Sequence, residues 1–225
     1  MGKWSWDRLA AGSGIVAIVL FVIAVLLPGT MPQASDSKAK IVHYFAAHHR
    51  SGLASAIFGG LGLIAMLWFF GCLARTMRRS GEERLADVTI GGIAIALAAL
   101  LIAGGMQTAL FFGIDTPGVV KALFVMSTIV SAFGCFPLAA SLGAFAVAEW
   151  RSGMLPQWHG MLTGLAAVLV LFNGGSLAHK GFYSPTGAYG FIALIGAFVW
   201  VAITSGLLMR QPAGERAPRA AAVAA

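Results

Sequence analysis

Charged side chains are scarce in this sequence. Asp, Glu, Lys and Arg make up 10% of its 225 residues, whereas hydrophobic residues make up 59%. Water-soluble domains carry about a quarter of their residues as charged ones, so this composition excludes an ordinary soluble domain. Each membrane-spanning helix needs about 20 apolar residues. The chain can therefore hold several such helices, but no large soluble domain besides them.

Cysteine and recognisable catalytic motifs are also missing or rare. The two cysteines, Cys72 and Cys135, are too few for a disulfide framework. The sequence contains no Walker loop, nucleophile elbow, zincin motif or Cys-x-x-Cys pair. We therefore expect no cofactor, and no serine or cysteine is singled out as a nucleophile.

Long runs without charge dominate what is present. Six stretches of a span's length contain no Asp, Glu, Lys or Arg: residues 9–27, 51–74, 88–112, 122–148, 160–177 and 189–209. Lipid cannot satisfy exposed backbone groups, and these runs lack the alternation of barrel strands, so each is predicted to be a helix. The sequence predicts an all-α integral membrane bundle of six transmembrane helices at residues 1–209. A disordered cytoplasmic tail is predicted at residues 210–225.

The positive charge indicates orientation rather than nucleic-acid binding. The net charge is +7, but the basic residues lie in short loops between apolar runs and not along one polar face, so no nucleic-acid partner is expected. Ten of the 15 lie in the N-terminus, the second and fourth loops and the tail, and five in the other loops. The positive-inside rule then places both termini in the cytoplasm.

The loop at residues 35–50 predicts a short interfacial amphipathic helix between the first two spans. Either Ser35 or Ser37 can cap its start. At 100° per residue two faces separate. The polar face holds Asp36, Lys40, His43, Ala47 and Arg50, and the opposite side holds Ile41, Phe45, His48 and His49. Such a helix would lie on the outer membrane surface or over the mouth of the bundle.

The histidines of this loop raise the question of a metal site. Ligands on one helix converge on an ion when they are three or four residues apart, but His43 lies five residues from His48 and six from His49. A site could instead join His48 or His49 with His179 and Asp115, which lie on the same predicted side. This is the rival hypothesis of an extracytoplasmic enzyme site. The simpler interpretation is that the histidines cover an apolar face.

Two amides lie inside predicted spans. Gln107 and Asn173 both fall in the half nearest the outer side. Amides in spans usually form hydrogen bonds between helices, which is the simpler interpretation. Together with Asp115 and His179, they could also line an outward-facing ligand pocket. No acidic or basic residue occurs inside the six runs, which argues against a proton-coupled pump and leaves passive transport open.

One segment carries a resemblance to known proteins. Val42, the Tyr44-Phe45 pair and the step His48-His49-Arg50 lead into a Gly- and Ala-rich span, and Arg75, Arg78 and Arg79 follow it. Over about the first 90 residues this resembles small multi-span membrane proteins of actinobacteria. The resemblance implies a bacterial plasma membrane and carries no activity with it.

These features favour a non-enzymatic membrane protein. An apolar interior without charge, joined to a polar outer rim, is typical of a protein that binds a lipid or an apolar small molecule, or serves as a subunit of a membrane assembly. The expected partners are membrane lipids and other membrane subunits. An enzyme with an outer histidine and aspartate site and a passive transporter are the alternatives.

Overall fold

A computed structural model describes residues 6–112, 116–178, 181–184 and 187–210, and in these residues the chain forms helices and no strands. The predicted tail beyond Arg210 lies outside the described residues. The helices are α1 (Trp6–Leu26), α2 (Lys38–Ala47), α3 (His49–Arg79), α4 (Glu83–Phe111), α5 (Pro117–Ser152), α6 (Gln157–Gly174) and α7 (Ala188–Arg210). The all-α prediction is confirmed.

The long helices pack against each other in antiparallel pairs. Residues late in one helix contact residues early in its neighbour, and the reverse. The pairs are Ala24 with Ser55 for α1 and α3, Thr89 with Ser141 for α4 and α5, Glu149 with His159 for α5 and α6, His159 with Thr204 for α6 and α7, and Gly14 with Ser205 for α1 and α7. The start of α1 and the end of α7 therefore lie at the same end of the bundle.

The prediction of six spans is confirmed for five of them. Five helices, α1, α3, α4, α5 and α7, are long and apolar enough to cross a membrane. The sixth, α6, has 18 residues, about 27 Å at 1.5 Å per residue, and carries Gln157 and His159 at its start and Asn173 near its end. Residues 160–177 contain no charge, but the helix ends at Gly174. Counting charge alone overlooked the polar ends of α6.

The two ends of the bundle differ in charge. One end, which we call the basic end, carries Arg8, Arg75, Arg78, Arg79, Arg84, Arg151 and Arg210. At the opposite end, which we call the capped end, α2 lies across α5 and contacts α3 and α4. Large apolar side chains between the two ends are exposed, among them Ile57, Ile64, Ile95, Leu101 and Ile195. Lipid is the solvent that suits such a surface.

The amphipathic helix α2 forms as predicted. Ser37 is its N-cap, with the hydroxyl accepting a hydrogen bond from the Lys40 amide at 3.3 Å. Its buried side chains, Ile41, Tyr44 and Phe45, form a small core with the end of α4 and the start of α5. Of the two predicted positions, α2 therefore takes the one over the mouth of the bundle.

The main core lies toward the basic end and is aromatic. The Trp200 indole of α7 is 1% exposed and contacts the rings of Phe69, Phe70 and Phe145 at centroid separations of 6.0 to 6.1 Å. Close backbone approach accompanies this packing. A Cβ added at Gly92 of α4 would lie 2.5 Å from the main-chain oxygen of Pro137 in α5. Glycine is what allows α4 and α5 to meet at this distance.

Candidate functional site

The histidines at the capped end bond to the backbone. His48 Nδ1 lies 2.9 Å from the Tyr44 carbonyl oxygen, and its ring stacks on Tyr44 with centroids 4.5 Å apart. His49 Nδ1 is hydrogen-bonded to the Phe111 carbonyl oxygen at the end of α4. His48 therefore bonds back to α2 through Nδ1, and His49 joins the start of α3 to the end of α4.

The predicted metal site falls partly outside the structure. His179 and Asp115 are not among the described residues, so their positions relative to His48 and His49 stay a prediction. Within the described ranges, no group of three or more His, Cys, Asp or Glu side chains is placed to hold a metal ion. The hypothesis of an extracytoplasmic enzyme site therefore stays a prediction.

The two amides join helices. Gln107 of α4 lies with its Nε2 3.4 Å from Ser127 Oγ of α5, and Asn173 of α6 has its Nδ2 3.4 Å from Cys135 Sγ of α5. Both amides thus hold a neighbouring helix to α5. Asp115 and His179, the other two residues of the predicted outward-facing pocket, lie outside the described residues, so that pocket stays a prediction.

A groove of about 360 Å³ opens between α1 and α3 at the basic end. Its lining is mostly apolar and comprises Trp6, Ala10, Leu67, Trp68, Gly71, Cys72 and Arg75. Trp6 and Trp68 are 74% and 57% exposed, so this surface faces the surroundings of the bundle. Tryptophan typically lies at the level of lipid headgroups, where one side of the ring is apolar and the other polar.

A second cavity lies at the same end of the bundle. It has about 460 Å³ and is lined by Gly81, Glu82, Glu83, Arg84, Leu85 and Arg151. Glu82 already holds Arg151 in an ion pair, with Nε 3.2 Å from Oε1. Because acidic and basic groups line it together, this cavity has no preference for an anionic ligand.

A buried polar network joins α5, α6 and α7. Glu149 and His159 are 3% and 0% exposed, and Glu149 Oε1 lies 2.5 Å from His159 Nδ1. His159 Nε2 lies 2.9 Å from Thr204 Oγ1. Trp200 Nε1 donates to Thr163 Oγ1 at 2.9 Å, and the Thr163 hydroxyl donates to the His159 carbonyl oxygen at 3.0 Å.

The sequence points to this network only indirectly. Glu149 follows the uncharged run 122–148 by one residue, and His159 precedes the run 160–177 by one. Polar groups that flank spans at such positions are usually solvated, but the structure buries both side chains. They lie at equal distances on either side of Met154, and Gly153, with φ of 62°, ends α5 in a tight turn to α6. In a helical hairpin such positions face each other.

Comparison with protein-family models, with curated proteins and with solved structures finds no match.

Proposed function

We propose that this chain is a multi-pass protein of a bacterial plasma membrane that binds an anionic phospholipid in the groove between α1 and α3. Its termini are cytoplasmic in this proposal. Several exposed apolar helices support a membrane location. The common position of the start of α1 and the end of α7 supports termini on one side, and the arginines of that end support the cytoplasmic side.

The observation that carries the proposal is Arg75 at an otherwise apolar groove. The floor is open, because a Cβ built at Gly71 would meet no atom within 4 Å. An acyl chain can lie along Leu67 and Gly71, and the phosphate can accept hydrogen bonds from the Arg75 guanidinium. Trp6 and Trp68 would then flank the glycerol region, the depth that indole rings favour.

Charge selects the class of lipid. Anionic lipids enrich the cytoplasmic leaflet, and each Lys or Arg near that surface contributes about 1 kcal/mol of attraction. The groove lies at the end of the bundle that holds seven described arginines. A zwitterionic headgroup gains less from this field, so we expect anionic phospholipid to be retained in preference to phosphatidylcholine.

The test is native mass spectrometry of protein purified in mild detergent and then reconstituted in nanodiscs containing both lipid classes. The wild-type chain is expected to retain about one anionic phospholipid per chain through delipidation. Gly71→Leu, whose Cβ meets no atom within 4 Å, should fill the groove and abolish retention. Arg75→Gln should remove the preference for anionic lipid.

The matched control for Gly71→Leu is Gly60→Leu. Gly60 lies 11 residues earlier on α3, near the same face at 100° per residue, and a Cβ there also meets no atom within 4 Å. Gly60→Leu should therefore retain lipid like the wild type. Wild-type protein that carries no lipid, or equal retention by all four proteins, would refute the groove as the binding site.

A further inference from the structure

The hydrogen bonds around His159 fix where one ring hydrogen lies. The Thr204 hydroxyl donates its single hydrogen to the Trp200 carbonyl oxygen at 2.7 Å. Toward His159 the same oxygen can therefore only accept. It follows that His159 Nε2 carries a hydrogen and donates to Thr204 Oγ1 across 2.9 Å.

A second hydrogen must lie between His159 and Glu149. Nδ1 and Oε1 are 2.5 Å apart, and two atoms that each offer only a lone pair repel each other at this separation. One proton is therefore shared between them. The pair as a whole then has no net charge, whether the proton rests on the carboxyl group or on the imidazole.

The other carboxyl oxygen decides which of the two holds the proton. Glu149 Oε2 is buried and has no hydrogen-bond partner among the described residues. An ionised carboxylate would leave a charged oxygen unpaired in a site shielded from water, which is far more costly than an unpaired neutral carbonyl oxygen. The unpaired Oε2 therefore favours the neutral carboxylic acid.

We infer that Glu149 and His159 form a buried proton-binding site, in which the Glu149 carboxylic acid donates to Nδ1 of a neutral His159. Ionisable side chains buried between spans commonly serve as proton sites. Loss of the shared proton would leave two acceptors facing each other 2.5 Å apart. The contact that holds the end of α5 to the start of α6 therefore depends on that proton.

No other titratable side chain among the described residues bonds to the pair. The side chains that face it from α6 and α7 are Thr163, Thr204 and Trp200, and α3 contributes Phe69 and Phe70 against the indole. At the same end of the neighbouring helices, the charged residues whose side chains the structure describes are Arg8 on α1, Arg75, Arg78 and Arg79 on α3, Glu83, Arg84 and Asp87 on α4, Arg151 on α5 and Arg210 on α7.

The first test is infrared spectroscopy of the full chain in nanodiscs at neutral pH. The wild type should show the carbonyl-stretch band of a protonated carboxyl group, and Glu149→Gln should lack it. The ¹⁵N NMR spectrum of histidine-labelled protein should show one neutral ring protonated on Nε2, and His159→Gln should remove that signal. Absence of the band, its persistence in Glu149→Gln, or a doubly protonated His159 would overturn the inference.

The stability of Glu149→Gln provides a second readout, with Glu149→Asp as its matched control. A glutamine amide can donate to Nδ1 just as the acid does and leaves a neutral carbonyl in place of Oε2. We expect Glu149→Gln to unfold at the wild-type denaturant concentration, and Glu149→Asp, whose shorter side chain cannot span the gap, to unfold at a lower one. Failure of Glu149→Gln to fold would overturn the inference, since a fixed ion pair would need the charge.

Discussion

Replacing Thr204 with valine isolates the contribution of the buried network to stability. Valine keeps the shape of threonine but lacks the hydroxyl that accepts from His159 Nε2 at 2.9 Å. The Nε2 hydrogen would then be buried without a partner, because Thr204 and His159 are both 0% exposed. An unsatisfied buried donor costs roughly 1–3 kcal/mol, so we expect the free energy of unfolding to fall by about that amount.

The chain offers a matched control in Thr108. Like Thr204, it lies in a long apolar helix and donates its hydroxyl to the carbonyl four residues earlier, at 2.7 Å, but the residue is only half-buried and the bond is exposed. Thr108→Val loses the same bond within the helix and gains the same methyl group. The difference between the two variants therefore measures the bond to His159.

The assay is unfolding in mixed micelles titrated with SDS, followed by the fluorescence of the native tryptophans. Trp200 lies inside the network and should report its loss directly. Thr108→Val should stay within about 0.5 kcal/mol of the wild type, as surface substitutions usually do. A Thr204→Val variant as stable as Thr108→Val would show that the buried hydrogen bonds contribute nothing, and the reasoning would fail.

Three further predictions follow from the packing and the charges. Gly92→Ala should destabilise by about 1–3 kcal/mol in the same assay, because its methyl group meets the main chain of α5, whereas Gly91→Ala meets no atom within 4 Å and should not. Phe45→Ala should cost about 3–5 kcal/mol and speed hydrogen exchange in α2, unlike His43→Ala on the exposed face; unchanged exchange would refute the packing of α2. The Lys40 ammonium and a backbone amide lower the pKa of the Asp36 carboxyl in the folded chain. The contribution of Asp36 to the free energy of unfolding is therefore complete above the pKa of the unfolded chain. It is lost as the pH falls through the lower pKa of the folded chain. A ¹³C NMR titration checks this, and an Asp36 pKa at or above the ordinary value would contradict it.

Much of the fold follows from where charge is absent. Lipid as solvent makes an uncharged run of about 20 residues a helix, and short loops make neighbouring helices antiparallel. Ser35 and Ser37 both predict a start for α2, because a serine hydroxyl can satisfy a free amide of the first turn, and the structure uses Ser37. The uncharged run 160–177 extends beyond the end of α6, because Asn173 and the glycines after it end a helix without carrying charge.

The buried network could not be found from charge alone. Glu149 and His159 are polar residues beside apolar runs, which is also where solvated flanking residues lie. What buries them is the turn at Gly153, together with the approach of Thr204 from a helix 45 residues further along the chain. That approach depends on how α7 packs, and the repeating apolar pattern of α7 does not specify it.

The membrane assignment requires that lipid surrounds the middle of the bundle. With Cys72 and Cys135 replaced by alanine, a nitroxide label can be placed at Ile95, which is 62% exposed on α4, or at His43 on the outer face of α2. In liposomes, oxygen should relax the label at Ile95 more than a water-soluble nickel chelate does, and the order should reverse at His43. If the nickel chelate reached Ile95 as readily as His43, water and not lipid would surround these helices, and the membrane assignment would be wrong.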